Sequence, residues 1–307
     1  MKKMCVIGSL NVDVFTSVDR FPKPGESVIG ETFNIYIGGG KGANQAFSLG
    51  RLGADVLMVG KVGELFYGPD YIKVLEQNDV KCNYVKIEKG VFPGIGLVTV
   101  DNNKENSIVY YPGANGMVDI TLIDEAWEEI KSRDIFLFQL EIPTETTLYA
   151  MRKLKALGKT IIFDPAPAKD IPKEIFLYVD YITPNHTELE TLSHMQINNE
   201  EDYKLAGAKL IEMGAITVIA KAGKLGAYVI KKDSFKYIKG YKVKAVDPTA
   251  AGDSFNGALA YSLSCNQDLE ESIRFANAVA ALATTAMGAQ NSMPTIDQVN
   301  KFLSQQI

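Results

Sequence analysis

Four residues, Ala250-Ala251-Gly252-Asp253, combine backbone that a ligand can approach closely with one acceptor-only side chain. Small side chains leave amide N–H groups uncovered. The apolar spacing of Phe255, Ala258, Leu259 and Leu263 predicts a helix from Ser254 to Ser264 directly after them. Open amides at the positive end of a helix dipole receive anions, most often phosphate. A carboxylate beside such a receptor suits phosphoryl transfer, in which one group takes the proton of an attacking hydroxyl while donors hold the transferring phosphoryl. The structural alternative is that Asp253 is an ordinary N-cap. His186 and His194 are the only histidines, so a Ser-His or Cys-His nucleophile is not expected and acid–base work falls to carboxylates.

Further polar residues follow short apolar runs. Met4 to Gly8 reads as a strand, with Asn11 and Asp13 after it. Two apart on an extended segment, they share a face, and an amide with a carboxylate can hold a polyol through donor and acceptor contacts. Solvated loop residues would look the same. From Asp134 onward, strands at Ile135–Leu140, Thr160–Phe163, Tyr181–Thr183 and Ile216–Ala220 alternate with helical segments such as Pro143–Leu157, the pattern of a parallel sheet. Glu141, Asp164, Asn185 and Lys221-Ala222-Gly223 each lie just past one of these strands. The C-terminal ends of parallel strands open on one crevice, so four polar positions there predict a ligand site. Asn185 and Glu188, three apart at a helix opening, can face one hard cation such as magnesium. They can equally form a capping box.

The elements that must position these groups include two strand-rich interruptions. One contains Val28, Phe33, Ile35 and Ile37; the other contains Ile95, Leu97, Thr99, Ile108 and Tyr110 around the turn Asp101-Asn102-Asn103. Both alternate as strands do and predict a small separate sheet or a peripheral hairpin. Between them, Gly38-Gly39-Gly40-Lys41-Gly42-Ala43-Asn44-Gln45 opens a helix that Gly53 closes. Gly38, Gly40 and Ala43 match a weakened dinucleotide fingerprint, which keeps a Rossmann dehydrogenase in view. However, the following strand, Val56 to Val59, ends in Gly60 where a ribose-binding acid belongs. A P-loop is excluded because Gly42 follows Lys41. Phe235 to Val246 reads as the second strand of an antiparallel pair leading to the 250–253 turn, and Leu269 to Met287 as an alanine-rich helix.

The chain has 307 residues, with 46% hydrophobic and 22% charged side chains, enough for a large α/β core. No apolar run is long enough to span a membrane, no signal peptide is recognisable at the start, and a cytoplasmic protein is expected. A net charge of -5 without a basic block argues against nucleic acid as a partner. Cys5, Cys82 and Cys265 are scattered and odd in number, which argues against disulfides or structural zinc.

The Gly-Asp turn at 250–253, the glycine run at 38–45, Asn185-x-x-Glu188 and Gly288-Ala289-Gln290 with Ser292-x-Pro294 occur in order between Val6 and Pro294. In these motifs the chain resembles the ribokinase family of carbohydrate kinases. The resemblance implies an α/β fold, a three-layer sandwich around a mostly parallel sheet, forming a single domain over 1–307, with a β-sheet lid from about 12–37 and 91–111. The lid would also be a possible homodimer surface. For the chemistry, it implies ATP as donor, Asp253 as base and the amides of Ala250, Ala251 and Gly252 as donors to the moving phosphoryl. Sugar contacts would come from Asn11, Asp13, Gly40, Lys41, Asn44 and Glu141. Asn185 and Glu188 would influence magnesium and phosphate binding, and Lys221, Gly223, Gly226 and Asn277 would lie on the nucleotide side. Potassium would sit among backbone carbonyls near Thr249, Ala283 and Gly288, the Asp247 carboxylate and the Ser292 hydroxyl.

One position departs from the family pattern. Related kinases usually carry threonine where this chain has Lys221, which could serve as a point charge toward phosphate or point to solvent. The expected reaction is phosphorylation of D-ribose at its 5-hydroxyl. Deoxyribose, fructose and purine nucleosides are alternatives within the kinases. Outside them stand a dehydrogenase and a catalytically silent sugar-binding protein.

Overall fold

The computed structural model describes residues 1–103 and 105–306. Its strands are β1 (Met4–Ile7), β2 (Asn11–Val18), β3 (Gly30–Gly39), β4 (Val56–Gly63), β5 (Val80–Glu88), β6 (Gly94–Val100), β7 (Asn106–Tyr111), β8 (Ile135–Phe138), β9 (Thr160–Phe163), β10 (Tyr181–Ile182), β11 (Thr217–Lys221), β12 (Gly226–Lys231) and β13 (Ser234–Lys239). The helices are α1 (Lys41–Arg51), α2 (Gly68–Glu76), α3 (Ile120–Glu125), α4 (Trp127–Lys131), α5 (Thr144–Ala156), α6 (His186–Ser193), α7 (Glu200–Glu212), α8 (Ala251–Ser264), α9 (Leu269–Ala283) and α10 (Ile296–Ser304).

Nine strands form one sheet in the order β13-β12-β11-β10-β9-β8-β1-β4-β5. It is parallel from β11 through β5, and β12 and β13 are antiparallel at one edge. Successive side chains on a strand point to opposite faces, and a sheet covered on both faces therefore needs continuous apolar runs. The central strands supply them. Met4 and Val6 of β1, Val56 and Met58 of β4 and Ile135 and Leu137 of β8 pack on one side, under α1, α2, α8, α9 and α10. Cys5 and Ile7, Leu57 and Val59, and Phe136 and Phe138 pack on the other, under α3 to α7. The result is the three-layer sandwich that the sequence predicts.

The sheet grows in both directions from β1, to β4 and β5 on one side and to β8 and onward on the other. The crevice of an open α/β sheet lies at such a switch point. Directly after β1 the chain enters a second sheet of order β3-β2-β6-β7, which joins the two predicted strand-rich interruptions. In it Asn11 pairs with Gly94 and Asp13 with Gly96.

Several boundaries differ from expectation. The helix predicted from Ser254 begins at Ala251, because Ala250 adopts a left-handed conformation (φ 57°) that turns the small residues into the first helical turn. No strand continues to Val246: Lys239 of β13 already faces Gly226, the first residue of β12, and nothing remains for the next segment to pair with. The strand predicted over Val56–Val59 extends to Gly63, and α9 stops at Ala283, before Met287. The β5 strand went unrecognised, since Lys81 and Lys86 interrupt its apolar pattern.

Candidate active site

Asp253 lies in the first turn of α8 and is buried, only 5% exposed. It does not cap its own helix. Asn44 Nδ2 donates to Asp253 Oδ2 at 2.9 Å and Gln45 Nε2 donates to Asp253 Oδ1 at 3.2 Å. Both donors come from the first turns of α1, whose entry requires bare backbone: a Cβ on Gly40 would stand 2.7 Å from the Asn11 nitrogen, and one on Gly42 2.4 Å from that of Ser9. Two helices that open toward each other thus carry the glycine run and the Gly-Asp turn to one place.

The strand ends converge there too. Glu141, beyond β8, accepts from Ser9 Oγ at 2.5 Å and from the Lys41 amide at 2.9 Å. Asp164, beyond β9, accepts from Gln45 Nε2 at 3.0 Å and from Lys221 Nζ at 2.9 Å. Asn185 and Glu188 form a full capping box: the Asn185 amide donates to Glu188 Oε2 at 2.7 Å and the Glu188 amide to Asn185 Oδ1 at 2.9 Å. Asn185 also bridges to Lys221 in parallel fashion at the end of β11. Lys221 does not point to solvent, since its side chain is 13% exposed and turned toward Asp164. A Cβ on Gly252 would lie 3.4 Å from its ammonium nitrogen, so Lys221 stands at the mouth of α8. The turn after it uses Gly223 (φ 57°) and Gly226 (φ 116°), the latter packed against the Ile238 carbonyl.

Five carboxylates (Asp13, Glu141, Asp164, Glu188 and Asp253) share this crevice with two ammonium groups. Burial pushes the Asp253 carboxyl up to about 6, helped by Asp164 and Glu141 and opposed by Lys41 and the Asn44 hydrogen bond. Burial and Glu141 push Asp13 up to about 7, against a hydrogen bond from the Gly96 backbone. Glu188 is also raised, by burial first and then by Asp164, with Lys221 and Lys41 opposing. Lys41 is desolvated, yet Asp253, Asp164, Glu141 and Glu188 hold it firmly protonated. A surplus of negative charge in a recessed site favours a cationic guest or one carried with cations.

Among the described residues no cluster of three or more His, Cys, Asp or Glu forms a protein cage for a metal. Magnesium does not need one, because it keeps several waters and binds through one or two carboxylates and substrate phosphates. Asp164, Glu188 and Asp253 fit that outer role. The amide of Ala251 donates to the Pro248 carbonyl at 3.2 Å, while those of Gly252 and Asp253 have no acceptor among the described residues. Those two open amides, more than that of Ala251, are available to an anion.

The loop pair before and after this turn is tied through Asp247. Thr249 donates to Asp247 Oδ1 from its amide (2.9 Å) and its hydroxyl (2.6 Å), and the Gly288 amide donates to Asp247 Oδ2 at 2.9 Å. Partial burial pushes this carboxyl upward, but the Thr249 hydroxyl and the Gly288 and Thr249 amides outweigh it and hold the group below the usual range. Ala283 ends α9 on the same loop, and Ser292 Oγ is turned to the Ala289 carbonyl at 2.8 Å. Asn277 Nδ2 reaches the carbonyls of Ile238 and Lys239 at 3.4 Å, tying α9 to β13, and no hydrogen bond joins it to the Asp253 group.

Sequence reasoning missed several members. Gln45 joins Asp253 to Asp164 and accepts from Gln139 Nε2 at 2.7 Å. Gln290 Nε2 donates to Tyr71 Oη at 2.7 Å and to Asn44 Oδ1 at 3.3 Å. Asn115, fully buried, bonds to Leu10, Asn11 and Tyr110. These residues share only an amide side chain, which does not say what the amide meets.

This geometry can hold a polyol beside a raised carboxylate at a helix start whose amides are open. A profile of the pfkB family carbohydrate kinases matches residues 1–296. The chain is 37% identical over 304 residues to a ribokinase of Bacillus subtilis, covering 99% of this chain and 100% of that protein. It is 33% identical over 302 residues to a deoxyribokinase of Salmonella typhimurium, covering 98% of each. The structure of Arabidopsis thaliana ribokinase complexed with ribose and ATP superposes with a TM-score of 0.92 at 30% identity, covering 98% of each chain. The chain belongs to the pfkB family of carbohydrate kinases.

Proposed function

We propose that this carbohydrate kinase transfers the terminal phosphoryl group of ATP to the 5-hydroxyl of D-ribose. The observation that carries the reading is the Asp253 carboxylate, clamped by Asn44 and Gln45 next to open amides at the start of α8. The sugar lies between Asn11, Asp13, Gly40, Lys41, Asn44 and Glu141, under the four-stranded sheet acting as a lid. Asp253 takes the hydroxyl proton as the oxygen attacks, and its raised pKa makes it a better acceptor than an exposed aspartate. The Gly252 and Asp253 amides, with Lys221 beside them, hold the phosphoryl oxygens where charge develops. Magnesium, when bound, would neutralise phosphate charge and orient the donor, and Asn185 and Glu188 at the opening of α6 would influence its binding.

A monovalent cation, potassium by the donor set, belongs between the 247–249 turn and the 283–292 loop, with Asp247 as its charged partner. Asp247 already ties these two segments together, so the ion would stiffen the turn that leads into α8. Two copies are proposed to pair through the lid, whose edge strands expose Phe33, Ile108 and Val109. Three free cysteines fit a reducing, cytoplasmic setting.

The test is ADP release from ATP and magnesium with ribose, 2-deoxyribose, fructose, adenosine or no sugar, each with potassium or a non-coordinating cation. Ribose-dependent release that rises with potassium is expected. A preference for 2-deoxyribose, the second reading in view of the deoxyribokinase relative, overturns the ribose assignment and leaves Asp253 in its role.

A further inference from the structure

Asn115 lies in the short turn Gly113–Met117 after β7, with its side chain fully buried. No motif points to it. The Leu10 amide donates to Asn115 Oδ1 at 2.9 Å, and a backbone N–H can only donate, so this contact settles which end of the Asn115 amide is oxygen. The other end must then be the NH2 group. It donates to Asn11 Oδ1 at 2.7 Å and also reaches the Tyr110 hydroxyl at 3.2 Å and the Leu10 carbonyl at 3.3 Å.

The same logic passes one step further. Because Asn115 presents hydrogens, the Asn11 atom that meets it must be the oxygen, and Asn11 Nδ2 is left free. It has no partner among the described residues, and it is not one of the sealed polar atoms that lack one. Asp13 stands two residues on, on the same face of β2. The pairing is built into the neighbouring strand as well: a Cβ on Gly94 would stand 2.1 Å from Asn11 Oδ1 and 2.2 Å from Asn115 Nδ2.

We propose that Asn115 is a positioning residue that sets the hydrogen-bond polarity of the sugar site, holding Asn11 so that it offers the sugar a donor while Asp13 offers an acceptor. A hydroxyl can satisfy both at once, accepting from Asn11 and donating to Asp13. If the Asn11 amide were reversed, two acceptors would face the sugar, and a hydroxyl could satisfy only one of them. The proposal rests on the sugar-kinase reading above and specifies how that site recognises hydroxyl groups.

The experiment compares the unaltered protein with Asn115→Asp, Asn11→Ala and the double variant, using ribose and its monodeoxy analogues as acceptors. Asn115→Asp keeps an acceptor for the Leu10 amide but sets an oxygen against Asn11 Oδ1. The expected result is a rise of about tenfold or more in the KM for ribose, the scale of one lost hydrogen bond to a buried group. The turnover number and the KM for ATP stay within about threefold. Removing the one hydroxyl that Asn11 contacts then costs the variant little, although it costs the unaltered protein much. The double variant is no worse than Asn11→Ala, because both changes remove the same contact. Equal losses across all sugars, a parallel rise in the ATP KM, or multiplying single effects overturn the proposal. Should Asn115→Asp fail to fold, Asn11→Asp retains an oxygen for Asn115 and removes the donor while adding a carboxyl beside Asp13, and Asn11→Ala removes the donor without that charge; an undiminished penalty for every deoxy sugar in both then overturns it. Failure of the unaltered protein to phosphorylate any pentose overturns the pentose assignment on which the proposal rests, a separate outcome.

Discussion

Gln45 Nε2 is shared between two buried carboxylates, at 3.2 Å from Asp253 Oδ1 and 3.0 Å from Asp164 Oδ2. Lys221 holds the other oxygen of Asp164, and Asn44 the other oxygen of Asp253. The Asp164 carboxylate is therefore fixed in orientation by donors from two elements, Gln45 on the glycine-run helix and Lys221 at the end of β11, and the Asp253 carboxylate by Asn44 and Gln45, both on the glycine-run helix. Each oxygen of Asp253 keeps a lone pair for a further donor, which is what a group receiving a proton from a hydroxyl requires.

Asp253→Asn should keep sugar binding and lose on the order of 10²–10⁴-fold in turnover, the range for a positioned general base. In the unaltered protein kcat/KM should rise with pH through about 6, where the carboxyl ionises. Steady-state kinetics from pH 5 to 8 check both. A near-normal rate in the variant, or a flat profile below pH 7, removes Asp253 from the role.

Gly252→Ala separates folding from chemistry. The added methyl meets only the end of the flexible Lys221 side chain, at 3.4 Å, and alanine is the better helix former by about 1 kcal/mol. Thermal stability should hold or rise. Turnover should nonetheless fall about 100-fold, since the methyl intrudes where the open amides would meet phosphoryl oxygens. A variant as active as the parent would mean that no phosphate passes over this turn.

Lys221→Met should raise the KM for ATP about tenfold and leave the sugar KM within about twofold, since the ammonium stands beside the mouth of α8 and not among the sugar residues. It should also destabilise the fold by on the order of 3 kcal/mol, because Asp164 would lose the partner of a largely buried pair. Equal effects on both substrates would confine Lys221 to holding Asp164.

The sequence made the sheet legible because each central strand is a short apolar run with a polar residue just beyond it, as at Phe163-Asp164 and Lys221. Glycine marked the opening of α1 for a related reason: only bare backbone fits where Gly42 meets Ser9. The amide network stayed hidden. Gln45, Asn115, Gln139 and Gln290 are 94 to 246 positions from the partners that give them a role, and a side chain that can donate or accept carries no sign in the sequence of which it will do. The start of α8 was misplaced for a local reason, the left-handed Ala250, which residue type alone disfavours.

Asp13 supplies a test that needs no substrate turnover. Its carboxyl titrates at about 7 in the folded protein against 3.8 as an ordinary aspartate, so between those values the native state holds a proton that the unfolded chain has released. Stability from this group is therefore full below pH 4, falls as pH rises, and is exhausted above about 7. Asp13→Asn removes the dependence. The Tm of the variant minus that of the parent, measured without sugar, should become more positive from pH 4 to 7 by on the order of 5–10 °C and then level off. Saturating sugar should shrink the effect, because a hydroxyl that donates to Asp13 favours the ionised form. A Tm difference independent of pH would mean that Asp13 is ionised in the free protein, and that neither burial nor Glu141 holds a proton on it.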